Sequence, residues 1–478
     1  MRTAFGGAVL FTLIVAFFSI EKARGRSAWK RYQEEARARQ TKLNLTEFVQ
    51  PAVPDERNFA ATPLFQDAFA DPAAGKVLEL PHANRAKLPA LGNITKDQLP
   101  DLAAWQKFFV EAKFIPAAGD DPAADVLKAL EHYAPQWEQL QAAAARPESR
   151  FPVRYEDGAA AALPHVQLFQ SASRIIALKL AAHLAQGNSA AAYEDFRLGL
   201  RLYAALEKEP TLIAGLVRIS GLSTLENGVW AGLVQRQWAA PELEKMESGL
   251  AQLRLLDDCA LSLGSERGFN NLIYDQYARK GAADLAELLV AFQDGQPRPS
   301  TRLATMLLTP YPSGWWRLSQ TRTNRYFDES LGQISQDPPR VYLDRPVTTM
   351  PASMASVGIL EHARYFLFFT MVPAMSDIER RYAYAQTLLD ETRLGCALER
   401  HRLANGNYPA SLEPLTPAFL RVVPRDVVNG TPLHYRLSEG GGYVLYSVGW
   451  NLQDDGGKSD PNGSITKQPD WVWSVNGK

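Results

Sequence analysis

Two cysteines, Cys259 and Cys396, are all that the 478 residues contain. Neither a disulfide scaffold nor a Cys-rich zinc module is available to such a chain, and a single bridge is the most it could form. Charge of one sign is equally scarce. Lys and Arg number 51 against 52 Asp and Glu, a formal net charge of −1, which removes the electrostatic footprint of a nucleic-acid binder and argues against that partner. An apolar fraction of 46% with 22% charged residues excludes a largely disordered chain and a polytopic membrane protein alike. Catalytic signatures are missing too. The chain has no Gly-x-Gly-x-x-Gly, no Walker A sequence, no His-Glu-x-x-His and no Cys-x-x-Cys. Gly264-Ser265-Glu266-Arg267-Gly268 sets its Ser directly beside a Gly, unlike a nucleophile elbow. The seven histidines stand apart, none at metal-ligand spacing, and read as structural or exposed. Glu266 with Arg267, Glu361 with His362, and Asp257 with Asp258 could still meet in a site assembled in space. An enzyme is therefore the alternative and a binding or structural role the expectation.

Length allows about two to four domains, and the first feature present is a hydrophobic run. From Ala4 to Ile20 only Thr12 and Ser19 are polar, Arg2 precedes the run, and Glu21-Lys22-Ala23-Arg24-Gly25-Arg26 closes it. Such a stretch predicts an uncleaved single-pass anchor, residues 1–22, because a rise of about 1.5 Å per residue nearly crosses a hydrocarbon core of about 30 Å. A cleaved signal peptide is disfavoured, since Phe18-Ser19-Ile20-Glu21 offers no small-x-small site. Residues 23–99 read as a juxtamembrane helix, a solvated stalk with Trp29 and Tyr32 at the interface, followed by a Pro-rich linker from Phe48. Basic residues Lys22, Arg24, Arg26, Lys30 and Arg31 after the run favour a cytoplasm-facing scaffold by the positive-inside rule.

Residues 100–375 carry apolar positions at three- and four-residue spacing, which predicts a large helical domain suited to a protein partner. Short turns such as Gly187-Asn188-Ser189 resemble those of TPR-like hairpins, without a 34-residue period. Within it, Met354 to Val372 reads as a buried helix and not a second span, because Glu361, His362 and Arg364 sit near its centre. Tyr311 to Arg317 reads as aromatics packed at a helix start, in preference to a sugar or peptide platform. Residues 376–478 predict one helix of 28 residues opened by a Ser376/Glu379 capping box and stopped at Asn405-Gly406. Strands follow at Leu433–Leu437, Tyr443–Val448 and Trp471–Val475. The whole is thus expected to be mainly α, with a C-terminal α+β module of a helix on a small antiparallel sheet.

The order Ala397-Leu398-Glu399, Gly406-Asn407-Tyr408-Pro409, Leu412, Leu415, Pro424-Arg425-Asp426, Gly430, Tyr435 and Tyr446-Ser447-Val448-Gly449, then an Asp/Gly-rich loop, resembles the C-terminal domain of the major pseudopilin of type II secretion. That resemblance spans about a fifth of the chain. It implies a pseudopilin-like fold, a calcium ion in the final loop, and a site outside the inner membrane, so that the bulk of the chain is expected to be extracytoplasmic. Asn451, Asp454, Asp455 and Asp460 are the implied ligands, since calcium takes six to eight hard oxygens in flexible geometry. The competing reading is a polar turn whose Asp and Asn side chains cap their own backbone. Leu10 and Val15 stand where a pseudopilin has the Gly and Glu of its cleavage motif, so processing by a prepilin peptidase is not expected.

Overall fold

The computed structural model describes residues 2–71, 74–81, 88–280, 311–351, 353, 356–460 and 468–476. The chain is mainly helical, opening on one long apolar helix and closing on a small antiparallel sheet. Helix α1 (Arg2–Ala38) is continuous through the boundary between apolar and charged sequence. Its first half, from Phe5 to Ile20, is solvent-exposed along nearly its whole length. At Glu21 the pattern changes, and Glu21, Gly25, Tyr32 and Ala36 are buried. Spacings of four and seven residues put these on one stripe, the heptad seam of a helix with a partner. The second half of α1 is therefore docked, where the sequence predicted a solvated stalk, because Tyr32 and Ala36 supply a seam that the surrounding charges obscure.

The Pro-rich region is packed and not extended. Asn58, accepting from the Ala60 amide, opens a short turn at Phe59–Ala61, and α2 (Pro63–Ala70) follows with proline at its first position. Phe59, Phe65, Phe151 and Phe169 stack together with centroids 5.0–6.5 Å apart, which fastens this region to the helical body. Asp101 and Asp121 cap α3 (Leu102–Glu111) and α4 (Pro122–Leu130) by accepting first-turn amides. After α5 (Ala134–Ala144) come α6 (Pro164–Ala185), α7 (Ser189–Ala204) and α8 (Leu212–Val234), which pack on one another. The Asn188 cap and Gly187 at φ +72° make the tight turn between α6 and α7. His183 on α6 meets Asp195 on α7 at 2.7 Å, pinning the pair. Next come α9 (Ala240–Leu250) and α10 (Leu255–Lys280).

Helix α11 (Ser313–Gly332) lies between α10 and α1. Trp315 and Trp316 are buried at its start, in line with the packed-aromatic expectation. Strands β1 (Ile334–Gln336) and β2 (Pro339–Val341) form a small hairpin. The apolar stretch that follows is two short helices, α12 (Ile359–Arg364) and α13 (Phe366–Met371), broken at Tyr365. This corrects the single buried helix. Leu367, Phe368 and Phe369 are buried, whereas Ile359 and Leu360 are exposed.

Helix α14 (Ile378–Asn405) has the expected 28 residues and ends at Gly406, φ +86°. Its start is different. Ser376 Oγ donates to the Pro373 carbonyl, Asp377 is the cap residue, and Glu379 is buried, so no capping box forms. Strands β3 (His434–Leu437), β4 (Tyr443–Ser447) and β5 (Trp471–Val475) pair antiparallel in that order, with His434 opposite Tyr446 and Ser447 opposite Trp471. Helix α14 packs on this sheet and, more extensively, on α8, α9 and α10. Its burial on nearly all sides makes it the central rod of one continuous apolar core that reaches from Leu45 to Val475.

Candidate functional site

Three places concentrate charge or unusual packing. The first is the seam of α1 with α11. Gly25 and Gly314 face each other so closely that a Cβ on either would collide with backbone, that of Gly314 in one case and that of Glu21 and Lys22 in the other. Glycine is required here because only its absent side chain lets two helices approach to this distance. Contact at this point brings Glu21 to three donors: Trp315 Nε1 at 2.7 Å, Arg24 Nη1 at 2.9 Å and Arg364 Nη2 at 3.2 Å. Further along, the Tyr32 hydroxyl donates to Asp328 at 3.0 Å, and Arg39 and Arg267 reach the same carboxylate at 2.8 and 3.1 Å. Burial, with the Asp328 charge adding to it, lifts the Tyr32 phenol well above its usual range. The α10–α11 interface behind it is polar. Asn271 and Asn324 exchange amide hydrogen bonds at 2.7 and 3.2 Å, and Tyr274 meets Thr323 at 2.8 Å.

The second place is the final loop. Among its described residues the carboxylates diverge, and no group of three or more His, Cys, Asp or Glu is gathered as a metal site. Asp454 accepts from Tyr446 at 3.1 Å and from the Gly456 amide at 2.9 Å, with His434 Nδ1 at 3.5 Å. The Gly456 amide is the main reason its carboxyl sits below the usual range. Asp455 accepts from Asn451 Nδ2 at 2.7 Å, and the Asn451 side chain in turn accepts the Gln453 amide. Asp460 meets Gln468 through its backbone, its amide donating to Oε1 at 2.7 Å. The organiser is a residue that sequence reasoning missed, Asp470. It is fully buried and accepts the amides of Gly457 at 2.8 Å, Lys458 at 3.2 Å and Asp455 at 3.4 Å. Its position directly before Trp471 was the available signal, since a short carboxylate next to an aromatic strand is well placed to receive loop amides.

The residues quoted for the C-terminal resemblance are held together by their own bonds. Glu399 receives Tyr408 at 2.6 Å and Arg402 at 2.6 and 2.8 Å, while Tyr435 donates to the Pro409 carbonyl at 2.7 Å. Asp426 accepts the Val428 amide at 3.0 Å and the Val448 amide at 3.3 Å, tying the Pro-Arg-Asp turn to the end of β4.

The third place is a set of buried acids where α8 meets α14. Glu226 is 1% exposed and neither of its carboxylate oxygens has a hydrogen-bond partner among the described residues. Asp390, Glu391 and Asp426 lie within its electrostatic reach or that of one another. Burial, reinforced by these like charges, raises Glu226 and Glu391 far above the ordinary carboxylate range and holds Asp390 at about 6 even with Arg393 bonded to it at 3.0 Å. Cys259 and Cys396 are free and buried, with thiols pushed up by burial, so neither is an activated nucleophile. Of the carboxylate pairs considered for catalysis, Asp258 forms an ion pair with Arg218, Asp257 with Arg254, and Glu361 with Arg322. No family model, curated protein or solved structure matches this chain.

Proposed function

We propose that the protein is anchored in a bacterial inner membrane by residues 5–20 and presents a rigid helical body to a partner in the envelope, in a binding or structural capacity. The observation that carries this reading is α1 itself: one helix, bare and apolar over its first half and docked along a Gly-Gly contact over its second. A helix bare over about 24 Å needs another apolar environment, and the hydrocarbon core of a bilayer supplies one. Arg24 and the Glu21 cluster then lie at headgroup level, where charged groups are tolerated.

The body is placed outside the cytoplasm, on the resemblance of residues 376–478 to a pseudopilin domain. Protease added to intact spheroplasts is expected to digest the body without lysis. Full protection would instead favour the cytoplasm-facing scaffold that the basic residues after the anchor suggest. Calcium is assigned to the final loop, with Asn451, Asp454, Asp455 and Asp460 as its ligands. Asn451, Asp454 and Asp460 are exposed and Asp455 is half-buried, all outside the apolar core, so closing them around an ion leaves that core in place. Thermal unfolding of the full chain with calcium and with chelator tests it. A higher midpoint with calcium, abolished by Asp454→Ala with Asp455→Ala, is the expected result, and identical curves would remove the metal from the proposal.

A further inference from the structure

A cavity of about 550 Å³ lies between α8, α10, α13 and the segment around Val153, within the usual range of small-molecule sites, about 300–1,000 Å³. Its walls are mostly apolar, with Leu45, Val153, Leu163, Phe269, Met371 and Met375 among them. Two of these are methionines, whose flexible thioethers adapt to varied apolar shapes.

The polar side chains in the wall are Asn270, Glu266, Thr211, Thr370 and Tyr155. Asn270 is fully buried. Its Nδ2 is spent on Glu266, at 2.8 Å to the carbonyl and 3.1 Å to Oε1, which leaves its buried Oδ1 with no donor. Glu266 also lines the cavity, and burial raises its carboxyl to about 7. Thr370 donates its hydroxyl to the Phe366 carbonyl, and the Tyr155 hydroxyl is committed to Glu209 at 2.6 Å. No Lys, Arg or His is among the described lining residues. Asn270 Oδ1 is therefore an acceptor without a donor among the described residues, and a buried acceptor left unpaired costs about 1–3 kcal/mol. Nothing within the described wall repays that cost.

We propose that this cavity binds a small apolar molecule bearing a protonated amine, with the amine donating to Glu266 and Asn270 Oδ1 and the apolar part against the methionine-rich wall. An anionic head would meet the Glu266 carboxylate with no cation among the described lining residues, and a pure hydrocarbon would leave Asn270 Oδ1 unsatisfied. The proposal is independent of the anchor and of the calcium loop.

The test uses the full chain in nanodiscs, titrated by calorimetry with 4-phenylbutylamine, 4-phenylbutyrate and butylbenzene, with empty nanodiscs as baseline. At pH 8 the amine is expected to bind at least about 10-fold more tightly than the acid, the scale of one charge-assisted hydrogen bond. Its affinity is expected to fall between pH 8 and 6 as Glu266 takes up a proton. Tyr155 of the wall is bonded to Glu209, and Arg267, next to Glu266 in sequence, is bonded through Nη1 to Asp328 while its buried Nε has no partner among the described residues. Glu266→Gln, nearly isosteric, is expected to cut amine affinity at least 10-fold. Ile213→Trp, at a cavity residue that is 54% exposed and so tolerant of change, is expected to weaken the amine by occlusion. Equal binding of amine and acid, no binding of any probe, or amine affinity unchanged in both variants would overturn the proposal.

Discussion

Substituting Gly314 by Ala places a methyl group inside the backbone of the neighbouring helix, since the added Cβ would sit under 3 Å from the Glu21 carbonyl and the Lys22 Cα. Neither obstacle is a side chain that can rotate away. The helices must separate, and inserting one carbon into a tight seam costs about 1–3 kcal/mol. Separation also lengthens the bonds from Trp315 and Arg364 to Glu21, which now stand at 2.7 and 3.2 Å. At tenfold per 1.4 kcal/mol, local opening of this seam is expected to rise roughly 5- to 150-fold. Native-state hydrogen exchange reads that quantity directly, through the protection of amides between Lys22 and Ala38 in the nanodisc-embedded protein. Gly332→Ala, at the far end of the same helix with open space around it, is the matched control and should leave protection unchanged. Equal protection in Gly314→Ala and the control would refute the claim that contact at Gly25 and Gly314 fixes the anchor to the body.

Other perturbations give distinct outcomes. Glu21→Ala strands the Trp315 indole and the largely buried Arg364 guanidinium, and is expected to cost about 3–5 kcal/mol by equilibrium unfolding, with Glu21→Gln costing less. The proton held by Glu226 makes folding stability fall as pH rises above the ordinary glutamate value of about 4.3, because the unfolded chain gives up that proton and the fold does not. Glu226→Gln should therefore raise the midpoint of thermal unfolding at pH 8 and leave it nearly unchanged at pH 4. Asp470→Asn removes the charge that gathers three loop amides, and should increase proteolysis of the chain after Asn451 while β4 and the core stay protected.

Helix α14 and its stop were legible because one residue, Gly406, reaches a left-handed conformation that others resist. The strands after it were legible from aromatic alternation. The seam of α1 was not, since its members are Glu21, Gly25, Tyr32 and Ala36, of which only one is a large apolar residue. The interface of α10 with α11 hid in the same way, because Asn271, Gln320 and Asn324 are buried by pairing with each other and Thr323 by pairing with Tyr274. Hydrophobic periodicity detects apolar burial and is blind to mutual satisfaction of polar groups. The capping box failed for a related reason: Glu379 is drawn into the core. In the final loop, composition identified the polar segment but not Asp470, whose role comes from the folded position of amides 12 to 15 residues earlier.

The contact of Glu21 with Trp315 joins residues 294 positions apart. At about 5–20 residues per second of synthesis, roughly 15–60 s separate the emergence of the two halves of that contact. Throughout that interval the first helix exists without its docking partner, with Glu21 paired to Arg24 alone and Tyr32 uncovered. Helix α1 is thus the first element made and one of the last to be locked, and a chain truncated before α11 would lack the surface on which its second half docks.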